Sequence, residues 1–267
     1  MDVSDILVEA AEKSASDIFI ISGAPLCYKA NHMLTRMSEA PLNPEDTLHM
    51  AMQIYELAGM PRKENEMPLR EMDFSFSIKG LGRFRANIYR QRGSFAAILR
   101  YVPFELPDAA SLGIPEQVIK LGENKSGIVL ITGPANSGKS TTLSCIIDKI
   151  NKTKNGHIIT IEDPIEFLHR HDKCIISQRE INIDTESYLD ALRAALRQSP
   201  DVILLGEMRD YETISTAMTA AETGQLVLST LHTFGAASTV DRIIDVFPIN
   251  QQHQIRRQHS TVLNAVV

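Results

Sequence analysis

The sequence has no tryptophan, only three cysteines among 267 residues, and no excess of positive charge. Each shortage removes a class of function. Cys27, Cys145 and Cys174 lie far apart and form no C-x-x-C pair. That argues against a disulfide framework or a structural zinc site and suits a reducing compartment. Lys and Arg number 27 against 33 Asp and Glu, a net charge of -6, which argues against a broad phosphate-backbone binder. Without tryptophan or an evident aromatic–basic tract, a helicase that stacks nucleic-acid bases is disfavoured, and no nucleic-acid partner is expected. No apolar run approaches the roughly 20 residues needed to span a bilayer, so direct membrane insertion is not expected. The N-terminal MDVSDILVEA places Asp2 and Asp5 where a signal peptide would be basic. Cytoplasm is the default. No repeat or low-complexity tract is evident, and 43% hydrophobic with 22% charged residues is ordinary for a globular chain with a real core.

What is present falls into two parts. VPFELPDAASLGIPE, with Pro103, Pro107, Gly113 and Pro115, reads as a linker, giving a domain over 1–103, a linker over 104–115 and a second domain over 116–267. In the first, SDILVEAAEKSA reads as a helix with Ser4 as capping candidate. NPEDTLHMAMQIYELAG reads as a helix from an Asn43 cap to a Gly59 stop. DIFIIS, LCYKAN, DFSFSIK and GRFRANIYR read as strands, so this is a small α+β domain. In the second, the buried strands GIVLIT, HIITIED, KCIISQ, DVILLGE and QLVLSTLH are separated by helices. That pattern predicts an α/β domain with a mostly parallel sheet covered on both faces. The final stretch, QQHQIRRQHSTVLNAVV, reads as a helix.

Between GIVLIT and its helix stands GPANSGKST, residues Gly133, Pro134, Ala135, Asn136, Ser137, Gly138, Lys139, Ser140 and Thr141. Gly133, Gly138, Lys139 and Ser140 fit G-x-x-x-x-G-K-[ST] in the strand–loop–helix context the motif requires. Loop amides and the helix N-terminus form an anion nest for phosphates. Lys139 would reach the β/γ-phosphates of a nucleotide and Ser140 would offer its hydroxyl to Mg²⁺. Three further strand ends carry polar groups. Glu207 follows DVILLG, placed to hold the metal through water or to polarise the attacking water. Glu162, Asp163 and Glu166 crowd the turn of TIEDPIEF, with Glu166 as base or water-orienting group and Glu162 and Asp163 supporting it. His232, in STLHT, reads as a γ-phosphate sensor. In a parallel sheet these ends share one edge, where ligands bind. As a strand, GRFRANIYR puts Arg83 and Arg85 on one face and Phe84, Ala86 and Ile88 on the other. Arg193 and Arg197 stand four apart on one helix and could serve an interface.

Taken together, GPANSGKSTT, TIEDPIEF, QREI, ALRAALRQSPDVILLGEMRD, TAAETG and STLHT…DRIIDVFP resemble the secretion ATPase superfamily, most closely the PilT-type type IV pilus retraction (twitching motility) ATPases. DFSFSIKGLGRFRANIYRQRG and LRYVP resemble that family's N-terminal domain. The resemblance implies a RecA-like P-loop ATPase domain preceded by a PAS-like domain, a homo-hexameric ring, and a motor coupling Mg-ATP hydrolysis to domain movement. It implies a pilus platform protein of the inner membrane as partner, and a bacterial cytoplasmic location at the inner face of that membrane. Glu166 takes the family's catalytic-glutamate place, Glu207 the Walker B place and His232 the histidine-box place. Arg85 and Arg100 resemble arginines that approach the nucleotide, and a supplied arginine is worth about 10³–10⁵ in rate for phosphoryl transfer. The chain departs from the family at Ala135 and Asn136, where Thr and Gly are usual, and at Gln225, where His is usual. The family's helical C-terminal part, with its AIRNLIRE-like motif, is not found in this sequence. A secretion or pilus-assembly ATPase of the same superfamily is the alternative, although the absence of a tetracysteine insertion lowers it. A nucleotide-binding ring partner that hydrolyses poorly is another.

Overall fold

A computed structural model describes residues 2–31, 33–60, 71–103, 106, 108–135 and 137–267. The chain divides into two compact units, Met1–Glu105 and Leu106–Val267.

The first unit runs α1 (Val3–Glu12), β1 (Asp17–Ile21), β2 (Pro25–Ala30), β3 (Met33–Pro41), α2 (Pro44–Leu57), β4 (Met72–Ile78), β5 (Gly82–Gln91) and β6 (Ser94–Pro103). Its sheet has the order β3-β2-β1-β6-β5-β4, antiparallel at every pairing. Asp2, not Ser4, caps α1: its carboxylate accepts from the Ser4 amide at 2.9 Å, because Asp2 keeps the extended backbone a cap needs while Ser4 is already helical. α2 begins as the sequence suggests. Asn43 and Asp46 exchange side-chain-to-backbone hydrogen bonds of 2.8 Å, with Pro44 at the first helical position. Gly59, past the end of the helix, adopts φ +72°, a conformation glycine takes without steric cost. On β5, Phe84, Ala86 and Ile88 are fully buried while Arg83 and Arg85 are partly exposed.

The second unit contains α3 (Glu116–Ile119), a 3₁₀ turn (Lys120–Glu123), β7 (Gly127–Thr132), α4 (Lys139–Thr153), β8 (Gly156–Glu162), β9 (Cys174–Glu180) and α5 (Tyr188–Ala195). It continues with β10 (Val202–Leu205), α6 (Tyr211–Glu222), β11 (Leu226–Leu231), α7 (Ala236–Asp245), α8 (Ile249–Val262) and β12 (Leu263–Val266). The sheet order is β12-β7-β11-β10-β8-β9, parallel throughout. Alternate strand residues feed two cores. Ile128, Leu130, Ile159, Ile161, Ile203 and Leu205 pack with α5, α6, α7 and α8. Val129, Ile131, Ile158, Val202 and Leu204 pack with α4 on the opposite face. Two-sided burial explains why these strands read as unbroken apolar runs instead of alternating.

Two sequence expectations fail here. The final helix stops at Val262, and Leu263–Val266 become a strand on the edge of β7. An open edge on β7 leaves backbone donors and acceptors unpaired, and pairing satisfies them: Val267 N donates to Leu130 O at 2.9 Å and Thr132 N to Val267 O at 2.7 Å. Arg193 and Arg197 do not share a helix, because α5 ends at Ala195 and Arg197 falls in the following turn. Arg193 instead meets Glu212 at 3.5 Å.

Candidate active site

The loop between β7 and α4 takes its shape from two glycines. Gly138, which precedes α4, adopts φ +90° and ψ 13°, a left-handed backbone in which a Cβ is strained. Gly133 has φ +144°, and a Cβ there would stand 2.9 Å from Ser137 Oγ. The motif spacing is therefore a backbone requirement before it is a chemical one. Lys139 opens α4 and is buried, its ammonium donating to Pro134 O at 2.7 Å and Gly133 O at 3.1 Å. It is thus fixed at the positive end of a 15-residue helix. Ser140 and Thr141 are partly buried, while Pro134, Ala135 and Ser137 are exposed. Asn136 lies outside the described residues.

A cavity of about 360 Å³ joins this loop to the other strand ends. Ala135, Lys139 and Ser140 form one wall; Glu162, Asp163 and Glu166 follow β8; Glu207 follows β10; Thr230 and His232 come from the end of β11. The parallel register puts them there, since Ile161 pairs with Leu205 and Leu205 with Ser229. Every strand then delivers its C-terminal residue to the same edge.

The three acidic residues after β8 are not equivalent. Glu162 is buried, whereas Asp163 and Glu166 are exposed. Burial pushes the Glu162 carboxyl up to about 7, despite hydrogen bonds from Thr160 Oγ1 at 2.6 Å, Gln178 Nε2 at 3.5 Å and the Glu166 amide. Glu162 is thus held inside the turn, whose crowding is relieved because only two of its carboxylates face water. Glu207 accepts from Arg209 Nε at 2.6 Å, and His232 Nε2 stands 3.9 Å from the same oxygen.

Arg209 and Tyr188 are among the cavity residues that the sequence does not single out. Arg209 was legible as the Arg of GEMRD, two positions past Glu207. Tyr188, the first residue of α5, gave no signal beyond being aromatic, because its hydroxyl reaches the cavity only through the tertiary fold.

In the first unit, Arg85 and Arg100 are brought together as direct cross-strand partners on β5 and β6. Each faces a carboxylate: Arg100 Nε donates to Asp17 Oδ1 at 3.0 Å, and Arg85 Nε lies 3.9 Å from Asp73 Oδ1. These four, with Asn87 and Ile98, line a hollow of about 150 Å³. The acids offset what would otherwise be a destabilising pair of opposed like charges.

Residues 1–264 match the family described as type II/IV secretion system protein. The chain belongs to that family. It is 41% identical to the type IV pilus retraction ATPase PilT of Pseudomonas aeruginosa over 267 residues, all of this chain and 77% of that protein. It is 51% identical to a twitching motility protein of Neisseria gonorrhoeae over 197 residues, 74% of this chain and 53% of that protein. Among solved structures, that of the pilus retraction motor PilT with bound ADP superposes with a TM-score of 0.90 at 49% identity, covering all of this chain and 77% of that one. The fold described above is therefore that of a secretion-family ATPase.

Proposed function

We propose that this chain is an ATP-hydrolysing motor of the type IV pilus retraction kind, which couples Mg-ATP hydrolysis to domain movement within a homo-hexameric ring. The observation that carries the reading is the single cavity in which the phosphate loop meets polar groups from three neighbouring strand ends. Full-length similarity to a pilus retraction ATPase supports the same reading.

The loop amides and Lys139 hold the β- and γ-phosphates, and the helix end behind them favours negative charge. Among the described residues no group of three or more His, Cys, Asp or Glu forms a metal cage. A hydroxyl at Ser140 and a carboxylate at Glu207 on one cavity are instead the sparse, hard-oxygen donor set that suits Mg²⁺ arriving with phosphates. When bound there, Mg²⁺ neutralises phosphate charge that one lysine and the loop amides cannot. Glu166, exposed to the cavity, orients the attacking water and accepts its proton. Glu162 and Asp163 support the turn that carries Glu166. His232 reads the γ-phosphate from the end of β11. Arg85 and Arg100 supply positive charge to phosphoryl transfer.

No helix among the described residues is long and apolar enough to cross a membrane. The proposed setting is the bacterial cytoplasm, at the inner face of the membrane, with a pilus platform protein as partner.

Calorimetry with ATP and steady-state phosphate release test the reading together. Lys139→Ala is expected to lose measurable ATP binding with the fold intact. Glu166→Gln is expected to keep binding while turnover drops about 10²–10⁴-fold. Unchanged binding in the first, or unchanged turnover in the second, removes the respective assignment.

A further inference from the structure

Tyr188 stands at the start of α5, partly buried, with its ring on the cavity wall between the ends of β8 and β10. Its hydroxyl reaches that place only because residue 206 has no side chain. A Cβ on Gly206 would stand 2.8 Å from Tyr188 Oη, while its other neighbours, the Glu162 Cα and Ile161 O, would be at an ordinary 3.5 Å. The Gly206 backbone is itself fixed from both sides, its amide donating to Ile161 O at 2.8 Å and its carbonyl accepting from Thr230 Oγ1 at 2.6 Å. Among the described residues, no protein group hydrogen-bonds to Tyr188 Oη. A phenol in such a place finds its partner in whatever fills the cavity. Burial of the ring, with the negative charges of Glu207, Asp163 and Glu162 around it, pushes the phenol well above its ordinary range. The group therefore keeps its proton and acts as a donor.

We propose that Tyr188 is a positioning residue for hydrolysis, donating its O–H to the oxygen of the water that attacks the γ-phosphate. The proposal rests on the ATPase reading above. A water molecule has two protons and two lone pairs. Glu166 takes one proton, and the second is free for another acceptor on the acidic wall. The Tyr188 hydroxyl occupies one lone pair, which leaves the other directed at phosphorus. In the step itself the water oxygen forms a bond to the γ-phosphorus and the bond from that phosphorus to the β,γ-bridging oxygen breaks. ADP leaves with the bonding electrons, and the water proton passes to the Glu166 carboxylate. Tyr188 keeps its own proton throughout and acts only through the water, so its contribution belongs to turnover and not to nucleotide affinity.

The test is a double-mutant cycle with Tyr188→Phe and Gly206→Ala, read by steady-state phosphate release and by ATP calorimetry, with Lys139→Ala run beside them. Tyr188→Phe keeps the ring and removes the donor. It is expected to lower kcat about tenfold or more while KM and the ATP Kd stay within about twofold. Gly206→Ala is expected to lower kcat in the Tyr188 protein by displacing the hydroxyl, yet to add almost nothing in the Tyr188→Phe background, where its methyl group meets no oxygen. A kcat within twofold of the parent for Tyr188→Phe, a loss expressed in KM alone, or fully additive losses in the double variant would each overturn the proposal. If Lys139→Ala also binds and hydrolyses ATP normally, the failure lies in the ATPase reading. If Lys139→Ala is inactive and Tyr188→Phe is not impaired, it lies with Tyr188 alone.

Discussion

His232 Nε2 lies 3.9 Å from Glu207 Oε2, so the residues that follow the adjacent strands β11 and β10 stand side by side in the cavity. Arg209 Nε shares the same carboxylate oxygen at 2.6 Å. Glu207 is thereby held by Arg209, with His232 beside it at the end of the neighbouring strand.

This arrangement separates stability from turnover. The Arg209 side chain is 73% exposed, and an ion pair of that kind is worth about 0–1 kcal/mol. Arg209→Gln should shift the unfolding free energy by less than about 1 kcal/mol and still depress phosphate release, because Glu207 loses its fixed direction. His232→Ala removes the proposed γ-phosphate sensor and should cost about 10²-fold in kcat with little change in Tm. Chemical denaturation and a kinetic assay on the same preparations check both; a large Tm loss in either variant would assign it a structural role.

Opposing proton linkages are built around the acidic turn. Glu162 is raised from 4.5 to about 7 by burial, so its favourable contribution is complete below pH 4.5 and disappears as pH rises through 7. His169 is lowered from 6.5 to about 4, again by burial. Its contribution is complete above 6.5 and disappears as pH falls through 4. Between pH 4.5 and 6.5 the two partly cancel. Glu162→Gln should therefore be more stable than the parent by up to about 3 kcal/mol at pH 8 and little different at pH 5. It should also expose a steeper loss on acidification. Urea unfolding across that range decides it, and equal stabilities at pH 8 would refute the burial argument.

Asn151, near the end of α4, ties the loop before β9 to that helix. Its Nδ2 donates to Arg170 O at 2.8 Å, and its Oδ1 accepts from the Asp172 and Cys174 amides at 3.2 Å. Asn151→Ala strands the buried Cys174 amide and should cost about 1–3 kcal/mol in stability. ATP affinity should survive, since the residue lies about 18 Å along α4 from Lys139. Thermal unfolding with and without ATP measures both effects.

Legibility in the sequence followed local physics. The phosphate loop could be read because Gly133 and Gly138 occupy backbone conformations that few other residues accept, so chemistry and sterics write the same motif. The parallel strands could be read because two-sided burial leaves continuous Ile, Val and Leu. β3 was missed because, as an edge strand, it is exposed or only partly buried along its whole length and shows no alternation. β12 was missed because TVLNAVV continues a helical spacing, and only its partner β7, more than a hundred residues earlier, makes it a strand. Tyr188 was missed for a related reason: its role depends on a side chain that Gly206 does not have.

The edge position of β12 has a mechanical consequence. Thr132, the residue immediately before Gly133, gives both its amide and its hydroxyl to the single oxygen of Val267, at 2.7 and 3.0 Å. A slip of one residue along β12 would move that oxygen by about 3.3 Å and release both bonds at once. The residue at the threshold of the phosphate cradle is therefore tethered to β12 through one shared acceptor, so its two bonds hold or let go together.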